Sequence, residues 1–375
     1  MVVLLSDPLP SATASGARLS IDTGAIAANT ELFAARAGGA LMAVVKADGY
    51  GHGAALVART ALRHGAGWIG VTSIAEALRL REAGITAPVL SWLNPIDADF
   101  AAALAGRIDL AVPSLEHLGA IEAAAARTGC AARIHLYIDC GMARDGAGPR
   151  VWPRLCRRAT LAQRRGLLRV VGVMGHLGCA ETPADACNRL GRRRFSRAVS
   201  VARGLGLRPG YRHLAATTAT LTDPRAHHTM CRVGAGLVGI DLSGSTPLRP
   251  AMTLRAPIVS VRQVPAGTPV GYGHAWRTPA ATRLGLIPIG YADGIPRRAG
   301  NRAWVAVRGR RCRVVGRVSM DQTVLDLGPI DARPGEWATV FGPGEHGEPS
   351  IVDWAQWTDT IPHEIVTGIG DRVQR

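Results

Sequence analysis

The run AVVKADGYGHG, Ala43 to Gly53, gathers residue types that a carbonyl-capturing site needs. Its Lys46 is the sole lysine of the chain; of 44 Lys+Arg residues the rest are arginine. A surface charge can be written with either residue, but arginine stays protonated and offers no amine lone pair. A lysine in a dry, electropositive place can lose its proton and attack a carbonyl to form a Schiff base. Gly49, Gly51 and Gly53 interleave with Tyr50 and His52. Such a run either turns the chain into the next helix or lets backbone and Tyr50 approach an anionic group.

These residues have to be held by something. From about residue 17 to 248 one pattern repeats, a short apolar run followed by an alanine-rich helical stretch. Strands are expected to begin near Leu41, Trp68, Ala87, Ile108, Arg133, Val170, Tyr211 and Met230. Ser73 and Ser114 stand where helix N-caps belong, and Gly65, Gly84 and Gly129 where helices stop. Eight strands mostly followed by helices suit a closed (β/α)8 TIM-like barrel, whose chemistry sits at the C-terminal ends of its strands. Lys46 directly follows the first of them.

After PLRP, Pro247 to Pro250, the helical spacing gives way to short alternating runs such as LRAPIVSVRQV and WVAVRGRRCRVVGRVSM. These predict a small all-β domain. The expected organisation is a disordered tail over residues 1–16, the barrel over 17–248 and a β-rich domain over 249–375.

The formal charge of +16 invites a nucleic-acid reading, but the arginines are spread along the chain and aromatics make up only 5%. No basic stretch is interleaved with aromatics, so a solvated, arginine-biased surface is the simpler account and no nucleic-acid partner is expected. Mean hydropathy is +0.11, yet no apolar run reaches membrane-spanning length. The start MVVLLSDPLPSATASG lacks a basic n-region and is not read as a signal peptide. Seven cysteines without a CxxC pair argue against a disulfide framework and a tetrahedral zinc site, so reduced thiols, no metal and a cytoplasmic location are the expectation.

AVVKADGYGHG resembles the cofactor-lysine motif of the alanine racemase family, which is dependent on pyridoxal 5'-phosphate (PLP). IHLYIDCGMARDG, GHLGCAE, HLAATTATL, CRVGAGLVG, VGYGHAW, IPIGYADGIPR, VGRVSMDQT and TIPHEIVTGIGDRV resemble the family's blocks in the family's order, across residues 17 to 375. The resemblance implies a barrel-plus-β-domain fold, PLP on Lys46, and a homodimer in which the β-domain reaches the partner subunit's site. It implies racemisation of alanine by two groups on opposite faces of the substrate, Lys46 and Tyr272. It places Arg232 opposite the PLP pyridine nitrogen, with His213 orienting it and His176 against the ring. Tyr50, Thr217, Gly234 and Ala235 would cup the phosphate. Arg144, Met320 and Tyr291 would meet the substrate or its path, with Asp321 beside Met320.

The sequence also departs from the family. Tyr137 stands where many members have a carbamylated lysine supporting Arg144, and no second lysine exists to replace it. Ala216 and Thr217 replace a common Asn-Ser pair, Val238 a frequent tyrosine, and Asp371 a tyrosine of some members. These put the substrate in question more than the reaction. A racemase for another amino acid, an aldolase- or decarboxylase-type enzyme, and a PLP carrier without turnover are the other readings, and Tyr272 with Arg232 favours proton transfer.

Overall fold

The structure, a computed structural model, describes residues 16–375; the expected tail over 1–16 lies outside the described residues except for Gly16. Two compact units form, one of Asp22–Ala251, the other of Met252–Arg375 together with the described residues up to Ile21.

With strands numbered along the chain, Arg18–Ile21 is β1. The first unit then holds β2 (Ala40–Val44), β3 (Trp68–Val71), β4 (Val89–Ser91), β5 (Ile108–Val112), β6 (Ala132–Tyr137), β7 (Leu168–Met174), β8 (Tyr211–His213) and β9 (Met230–Val233). All eight lie in one parallel sheet, in the order β9-β2-β3-β4-β5-β6-β7-β8. At the seam, the Arg232 N–H donates to the Ala215 carbonyl (3.0 Å) and Thr229 N–H to Arg212 (3.1 Å). The strands are almost wholly buried, as parallel strands covered on both faces must be. Each expected strand is present, though the fourth-numbered one begins at Val89, two residues after Ala87.

Local chemistry explains the helices between them. The Asp22 carboxylate accepts from the Gly24 and Ala25 N–H groups at the start of Thr23–Ala37. Ser73 and Glu76 form a reciprocal capping box on Ile74–Glu82, and Ser114 caps Leu115–Thr128. Such caps contribute about 1 kcal/mol each. Gly129 closes its helix at φ 69°, a conformation that a side chain would strain.

The second unit contains an eight-stranded antiparallel sheet. Its strands are β10 (Met252–Pro257), β11 (Ser260–Val264), β14 (Thr282–Ile287), β15 (Trp304–Val307), β16 (Arg310–Val314), β17 (Thr323–Gly328) and β18 (Trp337–Phe341), with β1 completing it. A separate ribbon pairs β12 (Pro269–Val270) with β13 (Trp276–Arg277).

Two expectations are corrected. The boundary at residue 17 assigned β1 to the barrel, but Arg18–Ile21 pairs antiparallel with Met252–Arg255 of β10. A strand followed by a helix reads as a barrel unit; periodicity cannot say which sheet the strand joins. The expectation of wholly reduced thiols is corrected at one place, where Cys179 and Cys187 form a disulfide across a separation of eight residues. Cys130, Cys140, Cys156, Cys231 and Cys312 remain free. No helix among the described residues is long and apolar enough to cross a membrane.

Candidate active site

Lys46 leaves the C-terminal end of β2 in an unusual backbone. Ala47, Asp48, Gly49 and Tyr50 have φ of 50°, 51°, 64° and 58°, four consecutive residues in the left-handed region. L-residues resist this conformation because Cβ crowds the following carbonyl. Several bonds hold it here, three of them at its start and through side chains. Gly49 N–H donates to Val45 O (2.9 Å), Ala54 N–H to Asp48 Oδ1 (2.8 Å) and Ala47 N–H to Glu76 Oε1 (2.8 Å). The other Glu76 oxygen accepts from the Thr72 N–H, the Thr72 hydroxyl and the Ser73 N–H. The turn swings the Tyr50 ring under the lysine, with Nζ 5.8 Å from the ring centroid.

Burial lowers the Lys46 pKa from the ordinary lysine value, the Arg144 guanidinium lowers it further, and Glu76 pulls it partly back. That is the direction a nucleophilic amine needs. Burial of the Glu76 carboxylate opposes its charge, but hydrogen bonds from Thr72, Ala47 and Ser73 outweigh this and lower its pKa. Glu76→Gln keeps an oxygen for Ala47 and removes the charge. The amine of Lys46 then deprotonates more readily, so the pH midpoint for Schiff-base formation with added PLP is expected to move down. An unchanged midpoint in a stopped-flow absorbance series would show that Glu76 acts only as a cap.

A polar cup lies beside this turn. The buried Tyr50 hydroxyl reaches the backbone of Gly234, where a Cβ would stand 2.3 Å from the phenol oxygen. Only glycine leaves that space. Thr217 Oγ1 accepts from the N–H groups of Gly234 (3.4 Å) and Gly236 (3.3 Å), linking the start of the helix Thr217–Thr222 to the turn after β9. Ala235 begins that turn. Hydroxyl and amide donors gathered in this way suit a phosphate. Ala216, at the N-cap, supplies no side-chain cap, and Val238 is buried in the same turn.

Arg232 on β9 is buried, and its donors can be assigned one by one. Nη1 donates to the His213 carbonyl (2.7 Å) and to His213 Nδ1 (3.1 Å). Nη2 reaches the carbonyls of Gly175 (2.7 Å) and Leu214 (3.4 Å) and His176 Nδ1 (3.3 Å). A guanidinium has five N–H groups, and Nε is left without an acceptor among the described residues. Burial first, then the Arg232, Arg144 and Lys46 charges, push the His176 pKa down to about 3, so His176 is neutral and accepts. Arg144 lies on the exposed loop after β6. Burial raises the Tyr137 pKa, while Arg232 and Arg144 both pull it down, so this phenol lies within the field of two guanidiniums.

The second unit carries the remaining expected residues. Tyr291 N–H donates to Ser319 O (3.1 Å) and Ala292 N–H to Met320 O (3.0 Å), so the turn bearing Tyr291 is stitched to the segment bearing Met320 and Asp321. Arg372 bridges both, with Nε 3.1 Å from Asp293 and Nη1 2.7 Å from Asp321. Its neighbour Asp371 is exposed. Tyr272 sits on the turn between β12 and β13 and is 70% exposed, Met320 52% and Tyr291 43%.

Within the barrel unit the structure therefore brings together Lys46, Tyr50, His176, His213, Thr217, Arg232, Gly234 and Ala235, with Tyr137 and Arg144 beside them. Glu76 was missed by the sequence reading, though S-x-x-E from Ser73 to Glu76 is a capping-box signal. Nothing in the sequence signalled Arg372, whose partners lie 51 and 79 positions away. The donor set fits PLP: an amine of lowered pKa for its aldehyde, a cup for its phosphate, and the Nε–H of Arg232 for its ring nitrogen.

A barrel with this lysine and cup, followed by a β-unit, defines a class of Schiff-base enzymes. The chain matches the alanine racemase N-terminal domain over residues 21–241 and the C-terminal domain over 251–375, and it belongs to the alanine racemase family. It is 45% identical to an alanine racemase of Thermobifida fusca, over 96% of this chain and 98% of that protein. The alanine racemase of Streptomyces lavendulae, a D-cycloserine producer, superposes with a TM-score of 0.94 at 43% identity, covering 97% of each chain. That of Bartonella henselae, solved with covalently bound pyridoxal phosphate, gives 0.87 at 26% identity, covering 96% of this chain and 99% of the other.

Proposed function

We propose that this protein interconverts L- and D-alanine with PLP. The observation that carries the reading is the sole lysine of the chain, half-buried at a strand end where desolvation and Arg144 lower its pKa, in a chain of this family. When bound, PLP supplies an electron sink that makes the substrate's α-proton removable. Lys46 would hold the cofactor and move the proton on one face of the substrate. Tyr272 moves it on the other, since inversion requires removal from one side and return from the opposite side. Arg232 would hold the ring nitrogen with its Nε–H as donor, an arrangement that would leave that nitrogen unprotonated and weaken the sink. His213 positions Arg232, and His176 would cover the ring. Arg144 offers a fork of donors to the substrate carboxylate.

The second part of the proposal concerns assembly. Residues 249–375 of one chain would complete the site of a second copy in a homodimer, with Tyr272, Met320, Asp321 and Tyr291 at the shared face. The exposure of Tyr272, Met320 and Tyr291 supports this. A cytoplasmic location accords with the family's supply of D-alanine.

The test is an NMR assay in D2O with PLP-loaded protein and separate L- and D-amino acids, following α-deuteration and chirality together. Exchange with inversion for alanine is the expected result. Inversion confined to another amino acid would keep the mechanism and move the substrate, making Val238 and Asp371 the next positions to vary. No exchange with any of them, with PLP verifiably on Lys46, would overturn the proposal.

A further inference from the structure

The chain of bonds that begins at Arg232 does not end at His213. Guanidinium nitrogens only donate, so His213 Nδ1, 3.1 Å from Arg232 Nη1, has to be the acceptor. A single proton on His213 must then sit on Nε2. That atom is 2.8 Å from His135 Nδ1, which therefore accepts, placing the His135 proton on Nε2 in turn. His135 Nε2 is 3.3 Å from Asp109 Oδ2. The buried carboxylate is closed by Arg133, Nε to Oδ1 at 2.8 Å and Nη2 to Oδ2 at 3.1 Å. Burial holds both histidines below their ordinary pKa, so both are neutral. The donors all run one way, from Arg232 through two imidazoles to a carboxylate.

The strands make this route improbable by default. His135 is on β6 and His213 on β8, with β7 between them. His135 pairs with Gly172 of β7, and a Cβ there would stand 2.3 Å from His135 Nδ1. The missing side chain is the gap through which one imidazole reaches the other. The two rings meet edge to face at 5.0 Å, and Trp68 packs edge-on against His135 at 5.5 Å, which fixes its plane.

We infer that Asp109, His135 and Gly172 are positioning residues for racemisation: they fix the tautomer of His213 and through it the direction in which Arg232 offers its Nε–H. The part that concerns the cofactor ring rests on the proposed function; the tautomer chain does not. Without the Asp109 carboxylate, His135 is free to carry its proton on Nδ1 and donate to His213 Nε2. The His213 proton then moves to Nδ1 and faces the Arg232 N–H. Two donors cannot share that contact, so Arg232 loses the side-chain bond that sets its tilt and is left with the carbonyls of His213, Gly175 and Leu214.

The test uses full-length protein labelled with 15N-imidazole histidine, with and without PLP, near neutral pH. In the native protein His135 and His213 are expected as Nε2–H tautomers with Nδ1 unprotonated. A proton on Nδ1 of either would overturn the inference without any variant. Asp109→Leu is expected to move His213 largely to the Nδ1–H form and to lower kcat about tenfold with little change in KM, the range seen when a residue supporting a reactive group is removed. Asp109→Asn keeps an oxygen acceptor for His135 and should restore both readouts. An unchanged His213 tautomer in Asp109→Leu, or an equal loss in Asp109→Asn, would sink the relay. If the native protein shows these tautomers but no racemase activity, the relay stands and the functional reading falls.

Discussion

Lys46→Arg is expected to abolish covalent PLP and alanine racemisation together, the latter by roughly 10⁴-fold or more. Arginine keeps the positive charge and nearly the length, so the loss isolates what the amine does. The guanidinium cannot shed its proton under working conditions and cannot form the bond to the aldehyde. Non-covalent PLP should still bind, because Tyr50, Thr217, Gly234 and Arg232 are untouched. Two measurements decide the matter: the visible absorbance of the bound cofactor before and after borohydride, and α-proton exchange of both alanine enantiomers. With no other lysine in the chain, no neighbour can take over the bond. Activity surviving in the variant would mean that the central assignment is wrong.

Tyr272→Phe should behave differently. The cofactor still loads and its absorbance stays, since Tyr272 lies on the β-unit turn and Lys46 in the barrel unit. Proton transfer on one face fails, and racemisation drops by about 10²- to 10⁴-fold, the usual worth of a positioned acid–base group. The loss should be asymmetric: one enantiomer retains α-proton exchange with solvent through Lys46 while inversion stops. If both enantiomers exchange at the native rate, Tyr272 has another task. The same variant separates a structural role from a chemical one, because a 70% exposed ring contributes little to the packing of its own unit.

The barrel was legible because its strands are short apolar runs separated by helices with recognisable caps. Ser73, Ser114 and Gly129 all stand at helix ends where their chemistry places them. The strand β1 was misplaced because its alternation suits either sheet, and its partners, Met252 to Arg255, lie more than two hundred residues away. Within the site, Lys46 with its glycines stood out from the residues themselves, while Arg232 was named only through the family resemblance. Residues that act through distant contacts were not readable. Glu76 reaches back 29 positions to Ala47, and His135 meets His213 across 78. A count of cysteines speaks to frameworks of several bridges and is silent on one local pair such as Cys179–Cys187. The left-handed turn was hidden for another reason, since Ala47, Asp48 and Tyr50 are not residues that advertise it.

That turn bears on the order in which such a protein can be built by evolution. Three side chains held in the left-handed region cost about 1–2 kcal/mol each. A whole domain retains only about 5–15 kcal/mol over its unfolded chain. A newly assembled barrel with nothing in reserve would relax the turn and lose the placement of Lys46 and Tyr50. Robustness of the scaffold therefore has to come before the catalytic loop. The same reasoning ranks later substitutions: those that erode the barrel far from its mouth should silence the enzyme before they unfold it.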